Sequence, residues 1–157
     1  MNCYCVFCRT EKAHELARLI EAQTGVRVIQ PKRIRRLTML GKRVDITEYF
    51  LPGYIFLYSD APADLAGVIR GLPGFLRVLG SQQNGFALTG SDEAFAAFLM
   101  KRGGVIGDMK VRETDGRYAL LEEGFTILKV DRKKTRLLME FDFDGQKMQL
   151  WTGYDIV

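Results

Sequence analysis

Three thiols and one imidazole, Cys3, Cys5, Cys8 and His14, stand close together at the start of the chain. A closed structural metal site needs four such ligands converging on one ion. On an extended strand Cys3 and Cys5 point to one face and Cys8 to the other, so the strand cannot turn all three to one ion. No metal is expected, and the cysteines are expected to pack as small hydrophobes. An odd, crowded set is a poor disulfide framework, and reduced thiols suit a cytoplasmic protein. His14 is the only histidine, which leaves Ser-His-Asp and HExxH arrangements little to work with. Neither a P-loop nor a dinucleotide-binding glycine fingerprint is present. The expectation is a protein that binds, with no catalysis and no cofactor.

What it binds is suggested by charge. Residues 1–110 carry 15 Lys/Arg against 10 Asp/Glu, and residues 111–157 carry 8 against 9. Arg27, Lys32, Arg33, Arg35, Arg36, Lys42 and Arg43 fall in a stretch with no acidic residue between Thr24 and Asp45. A run of cations on a two-stranded arm suits a phosphate backbone. The same run would also serve as a solvated arm that protects a sheet edge. No run of 18 apolar residues and no secretory leader is found, so a soluble, cytoplasmic monomer is expected.

These groups must be held by a scaffold. Cys3 to Arg9 reads as a buried strand, and Thr10 as the N-cap of a helix. Ala13, Leu16, Ala17 and Ile20 recur with helical spacing, and Gly25 ends that helix. Val26 to Thr38 reads as a second strand, Leu40-Gly41-Lys42 as a hairpin tip, and Arg43 to Phe50 as the return. Pro52-Gly53 precedes a core strand, Tyr54 to Tyr58. A second helix is expected from Asp60 and Pro62 to Arg70-Gly71, then a strand from Phe75 to Leu79. A third helix is expected from a Ser91 cap to Lys101, with Phe95, Phe98 and Leu99 on its apolar side. The order β-α-β-β-β-α-β-α predicts an antiparallel-dominated α+β sandwich.

Beyond Gly103-Gly104 every element reads as a strand. Leu137, Met139, Phe141 and Phe143 alternate with the opposite-facing Leu138, Glu140 and Asp142, and Asp144-Gly145 is a hairpin turn. This predicts a small SH3-like β-barrel. The expected division is 1–103 for the sandwich, 104–110 for a linker and 111–157 for the barrel.

The opening strand, the basic hairpin with Gly41-Lys42-Arg43 after Pro31, and Leu51-Pro52-Gly53-Tyr54-Ile55-Phe56 together resemble the N-terminal domain of the NusG family. Leu72-Pro73-Gly74-Phe75 with Val78-Leu79-Gly80 resembles its downstream turn and strand. The likeness covers roughly residues 3–100. Leu51 stands where members commonly have phenylalanine. The run also partly mimics an RNA-recognition motif, but Pro52 replaces the basic residue and Ile55 the glycine. Lys129-Val130-Asp131 with Arg136 is similar to a KOW motif. Its glycine-poor approach and the acidic Glu122-Glu123 favour a specialised relative, such as the RfaH or LoaP antiterminators, over the housekeeping factor.

The resemblance implies a transcription elongation or antitermination factor that docks on the clamp helices of the RNA polymerase β′ subunit. The docking positions it implies are Phe7, Leu51, Pro52 and Tyr54. It implies nucleic-acid contacts, to DNA or RNA near the transcription bubble, from Arg9, Lys12, Arg18, Lys32, Arg33, Arg35, Arg36, Lys42 and Arg43. Arg70 and Arg77 are lesser candidates. The barrel would take a further protein or RNA partner, the latter through Lys129, Arg132, Lys133, Lys134 and Arg136. The competing expectation is a general RNA-binding or ribosome-associated module that does not bind polymerase.

Overall fold

The structure is a computed structural model, and it describes residues 1–60, 67 and 69–157. The helix expected between Asp60 and Gly71 falls largely outside the described residues. The chain forms two compact units, one from 1–31 with 49–104, the other from 32–48 with 105–157.

In the first unit, β1 (Asn2–Cys8), β2 (Arg27–Ile29), β5 (Tyr54–Ser59) and β6 (Phe75–Val78) form one antiparallel sheet in the order β2-β5-β1-β6. Side-chain alternation gives the sheet two faces. Tyr4, Val6, Cys8, Ile55 and Leu57 meet Ala13, Leu16, Ala17 and Ile20 of α1 (Ala13–Thr24). These four helical residues are the ones that the periodicity selects. Fully burying Leu16 or Ile20 contributes about 1.5–3 kcal/mol each. Gly25 ends the helix at φ 71, its N–H bonded to the Glu21 carbonyl. Thr10 is not the cap of α1: it sits in a 3-10 turn, Thr10–Lys12, and α1 follows it.

The other sheet face carries the cross-strand pairs Cys3–Tyr58, Cys5–Phe56 and Phe7–Tyr54. The second helix described, α2 (Gly90–Lys101), covers part of it, with Phe95 5.9 Å from the Phe56 ring and the Ala96 carbonyl accepting the Tyr58 hydroxyl at 2.7 Å. Phe95, Phe98 and Leu99 are buried as their spacing requires. The N-cap of α2 is Thr89, so Ser91 lies inside the first turn beside Asp92 and Glu93, whose charges suit a helix N-terminus. All three cysteines are free and buried.

The expected strand from Val26 to Thr38 is two strands, β2 and β3 (Lys32–Met39), separated at Gln30-Pro31. Pro31 has no N–H for a ladder and restricts the residue before it. From there β3 and β4 (Lys42–Tyr49) form a hairpin whose core, 32–48, belongs to the second unit. Leu40 (φ 51) and Gly41 (φ 74) turn it with the two left-handed residues of a type I′ turn.

The rest of the second unit contains β7 (Val105–Ile106), which pairs parallel to β3, and β8 (Met109–Thr114). Both fall at least partly in the 104–110 stretch expected as a linker. With β9 (Arg117–Leu120), β10 (Thr126–Asp131), β11 (Arg136–Phe143) and β12 (Gln146–Ile156), β8 builds a five-stranded sheet, ordered β10-β11-β12-β8-β9. The sheet is barrel-like and nearly closed. Leu137, Met139, Phe141 and Phe143 line its interior with Met109, Val111 and Leu150. Asp144 (φ 52) and Gly145 (φ 70) make another type I′ turn, at the place expected.

Candidate functional site

Leu51-Pro52-Gly53-Tyr54 builds the first candidate surface. The Tyr54 N–H donates to the Leu51 carbonyl at 3.1 Å, with proline second and Gly53 third at φ 92. That is the arrangement of a type II turn, which favours proline and glycine at those two places. Space demands the glycine as well. A Cβ at Gly53 would stand 2.8 Å from the Cys8 carbonyl oxygen and 3.1 Å from the Phe7 ring. The Gly53 carbonyl accepts the Cys8 N–H at 2.9 Å and the Cys8 thiol at 3.4 Å. Burial, then the charge of Glu11, pushes that thiol pKa up, so it stays a neutral donor.

A twin turn flanks β1 on its other side. Phe75 N–H reaches the Leu72 carbonyl across Pro73 and Gly74 (φ 84), and the Gly74 carbonyl accepts Arg9 N–H at 2.9 Å. Two proline-glycine turns thus hold the end of β1.

Phe7 and Tyr54 form the last pair on their face, rings 4.8 Å apart, each half-buried. They are not sealed in the core. The Arg77 guanidinium lies 5.5 Å from the Phe7 ring. Beside Tyr54, Leu51 and the exposed Pro52 line a mostly apolar depression of about 110 Å³. Leu51 itself is buried and holds φ 54, a costly conformation for a side chain of its size. The depression brings together three of the four expected docking residues, with Phe7 behind Gly53. Sequence reasoning missed His14, Gln30, Pro31, Tyr49 and Phe50, which also line it. The Phe50 N–H donation to Pro31 at 2.8 Å joins two of them, and only the nearness of Pro31 to the basic hairpin hinted at this.

The basic residues divide between the two units. Arg9, Lys12 and Arg18 are exposed in the first, with Lys12 3.7 Å from Glu15. Lys32, Arg33, Arg35, Arg36, Lys42 and Arg43 lie on the hairpin of the second. Several of these cations have carboxylate partners. Arg33 and Arg35 share Glu48 at 2.9 and 3.5 Å, and Arg43 approaches Asp45 at 3.6 Å. Even so, the hairpin carries six cations against two acidic residues between 32 and 48.

Arg36 is more enclosed than Arg33, Arg35 or Arg43. Its side chain is 11% exposed, it pairs with Asp108, and its Nη1 donates to the Thr135 carbonyl at 2.9 Å. Turned inward and already bonded, it fastens the hairpin to the β7–β8 connection and the β10–β11 turn. On the barrel, Arg136 lies over the Trp151 ring at 4.6 Å and Arg132 over Tyr118 at 5.1 Å. Among the described residues no cluster of three or more metal-ligating side chains occurs, and no helix is long and apolar enough to cross a membrane.

Comparison with known proteins adds family and fold. Residues 1–95 match the family profile described as "NusG: Transcription termination factor nusG". Among solved structures, one titled "Domain interaction in Thermotoga maritima NusG" is similar at 14% identity and a TM-score of 0.50, covering 97% of this chain and 93% of that one. No curated protein matches significantly.

Proposed function

The chain belongs to the NusG family of transcription factors, and from that premise we propose that it is an elongation and antitermination factor that bridges RNA polymerase and nucleic acid. Its occupant at the Leu51–Tyr54 depression is the clamp-helix region of the β′ subunit. The observation that carries this reading is the Phe7–Tyr54 pair, left half-exposed beside Pro52 and an apolar hollow. Apolar side chains held by rigid turns make good anchors because docking costs them little conformational freedom.

Arg9, Lys12 and Arg18, with Lys32, Arg33, Arg35, Lys42 and Arg43, supply contacts to phosphates near the bubble. Such contacts position a protein and do not by themselves read sequence. Binding the closed-clamp polymerase better than the paused one shifts the population towards elongation, with no chemical step by the factor. The barrel, with Glu122-Glu123 before its KOW-like turn, supports a specialised member over a general one. The protein works in the cytoplasm as a monomer.

The test is capture of core polymerase by the full chain and by Tyr54→Ala and Pro52→Glu. Pro52 is exposed, and circular dichroism checks that its variant is folded. Each loss is expected to be about tenfold or more, equivalent to about 1.4 kcal/mol. Undiminished capture by both folded variants would remove the docking site. Capture of ribosomal components alone would favour a ribosome-associated module.

A further inference from the structure

At the tip of the β3–β4 hairpin, residues 38–43 are all exposed, and two of them are large and apolar. Leu40 is fully exposed and Met39 about half so. Leu40 holds the left-handed region at φ 51, followed by Gly41 at φ 74. Asparagine or aspartate would make this turn with less strain. A leucine that buries nothing in its own fold, held in a conformation that resists it, is a local misfit of the kind that collects at functional sites. Cations adjoin it. Lys42 and Arg43 follow the turn, and no acidic residue stands between Thr24 and Asp45. Asp45 itself lies 3.6 Å from Arg43 and 3.9 Å from Arg36. We propose that Leu40 inserts between two base pairs of duplex DNA, with Met39 beside it and the flanking phosphates held by Lys42 and Arg43.

Leucine and methionine are among the side chains that open a base step from the minor groove. Insertion partly unstacks the step and kinks the duplex, which brings more of its backbone against neighbouring cations. The type I′ turn fixes the Leu40 backbone before contact, so insertion orders little beyond side-chain rotamers. Pyrimidine–purine steps such as TA unstack most readily. A preference for such steps therefore follows without any hydrogen bond to a base edge.

The charge beside the tip favours DNA over an apolar pocket on another protein, since Lys42 and Arg43 would have to be desolvated at the rim of such a pocket. A lipid surface fits less well, because two apolar side chains bury too little hydrocarbon for stable anchoring. A base step can enclose one of them whole. The inference rests on the nucleic-acid half of the proposed function, and adds a contact inside the base stack to the phosphate contacts already assigned.

The experiment titrates the full chain into a duplex carrying 2-aminopurine at a central TA step, and into a second duplex with the probe inside a stiff A-tract. This base brightens when it is unstacked. The parent should brighten the TA duplex at saturation and bind it about tenfold more tightly than the A-tract. Leu40→Asn suits the turn and keeps every cation, so it should fold, yet lose both the brightening and the TA preference. Leu128→Thr removes an exposed leucine from β10 and should retain both. Brightening that survives in Leu40→Asn, or that is lost equally in Leu128→Thr, would overturn the inference. So would Leu40-dependent binding to phosphatidylserine vesicles, or Leu40-dependent polymerase capture, with a dark TA duplex. If the parent binds both duplexes alike, with a steep salt dependence and no brightening, insertion is lost while the phosphate contacts of the proposed function stand.

Discussion

Arg36 and Asp108, 72 residues apart in sequence, form a partly buried ion pair that rests against the backbone of Gly153. The guanidinium also donates to the Thr135 carbonyl, so one side chain of β3 reaches two connecting segments, the one before β8 and the β10–β11 turn. Removing it takes the guanidinium away from a carboxylate that is only partly open to water. Arg36→Ala should therefore cost about 2–4 kcal/mol, slightly under the range for breaking a fully buried pair. Arg35, exposed and sharing Glu48, should cost under about 1 kcal/mol when replaced by Ala. Urea unfolding of both variants checks this. Equal losses would show that Arg36 is an ordinary surface charge.

Gly153 provides a second handle on the same contact. Its φ is ordinary, so backbone freedom is not the reason for glycine here. A Cβ at this position would overlap both the Arg36 guanidinium and the Asp108 carboxylate. Gly153→Ala should lower stability by about 1–3 kcal/mol, as other overpacked sites do. At Gly71 an added Cβ would meet nothing within 4 Å, so alanine there should change stability by no more than about 0.5 kcal/mol. A Gly153→Ala protein as stable as the parent would mean that the ion pair is dispensable.

Local pattern was enough to locate α1 and the barrel interior. Ala13, Leu16, Ala17 and Ile20 follow a helical period, and Leu137 to Phe143 a two-residue one, and both patterns survive packing intact. The Leu51–Tyr54 turn was legible because proline and glycine each force a backbone geometry. Long-range pairing was not. Nothing near Arg36 in sequence announces Asp108, so a run of arginines read as uniformly available. The end of β12, through Ile156, has no local signal in the sequence because it pairs parallel with β8, a partner far away in sequence. His14 and Gln30 reach the depression from separate elements, and no spacing rule joins them.

Leu40 illustrates a conflict between sequence and geometry. It is fully exposed at the hairpin tip with φ 51, where Asn or Asp is ordinarily favoured. Holding a leucine there costs about 1 kcal/mol or more relative to a residue that tolerates the left-handed region. Leu40→Asn should therefore raise stability by about 0.5–1 kcal/mol in a urea titration. A loss would show that the exposed side chain makes a stabilising contact in solution.

Tyr58 predicts how stability should fall at high pH. Its hydroxyl is buried and donates to the Ala96 carbonyl at 2.7 Å. Burial raises its pKa well above the usual 10, and the neighbouring Cys3 and Cys5 add to the shift. The folded state thus holds its proton at pH values where the unfolded chain has released it. This contribution is complete below about pH 10 and is lost progressively as pH climbs towards the folded-state value. Tyr58→Phe should remove part of that alkaline fall, while costing about 1 kcal/mol at neutral pH for the lost hydrogen bond. Cys3 and Cys8, also raised chiefly by burial, contribute to the fall in both proteins, so the difference between them isolates the tyrosine. Urea midpoints measured from pH 8 to 11 provide the comparison, and parallel curves for parent and variant would rule the tyrosine out.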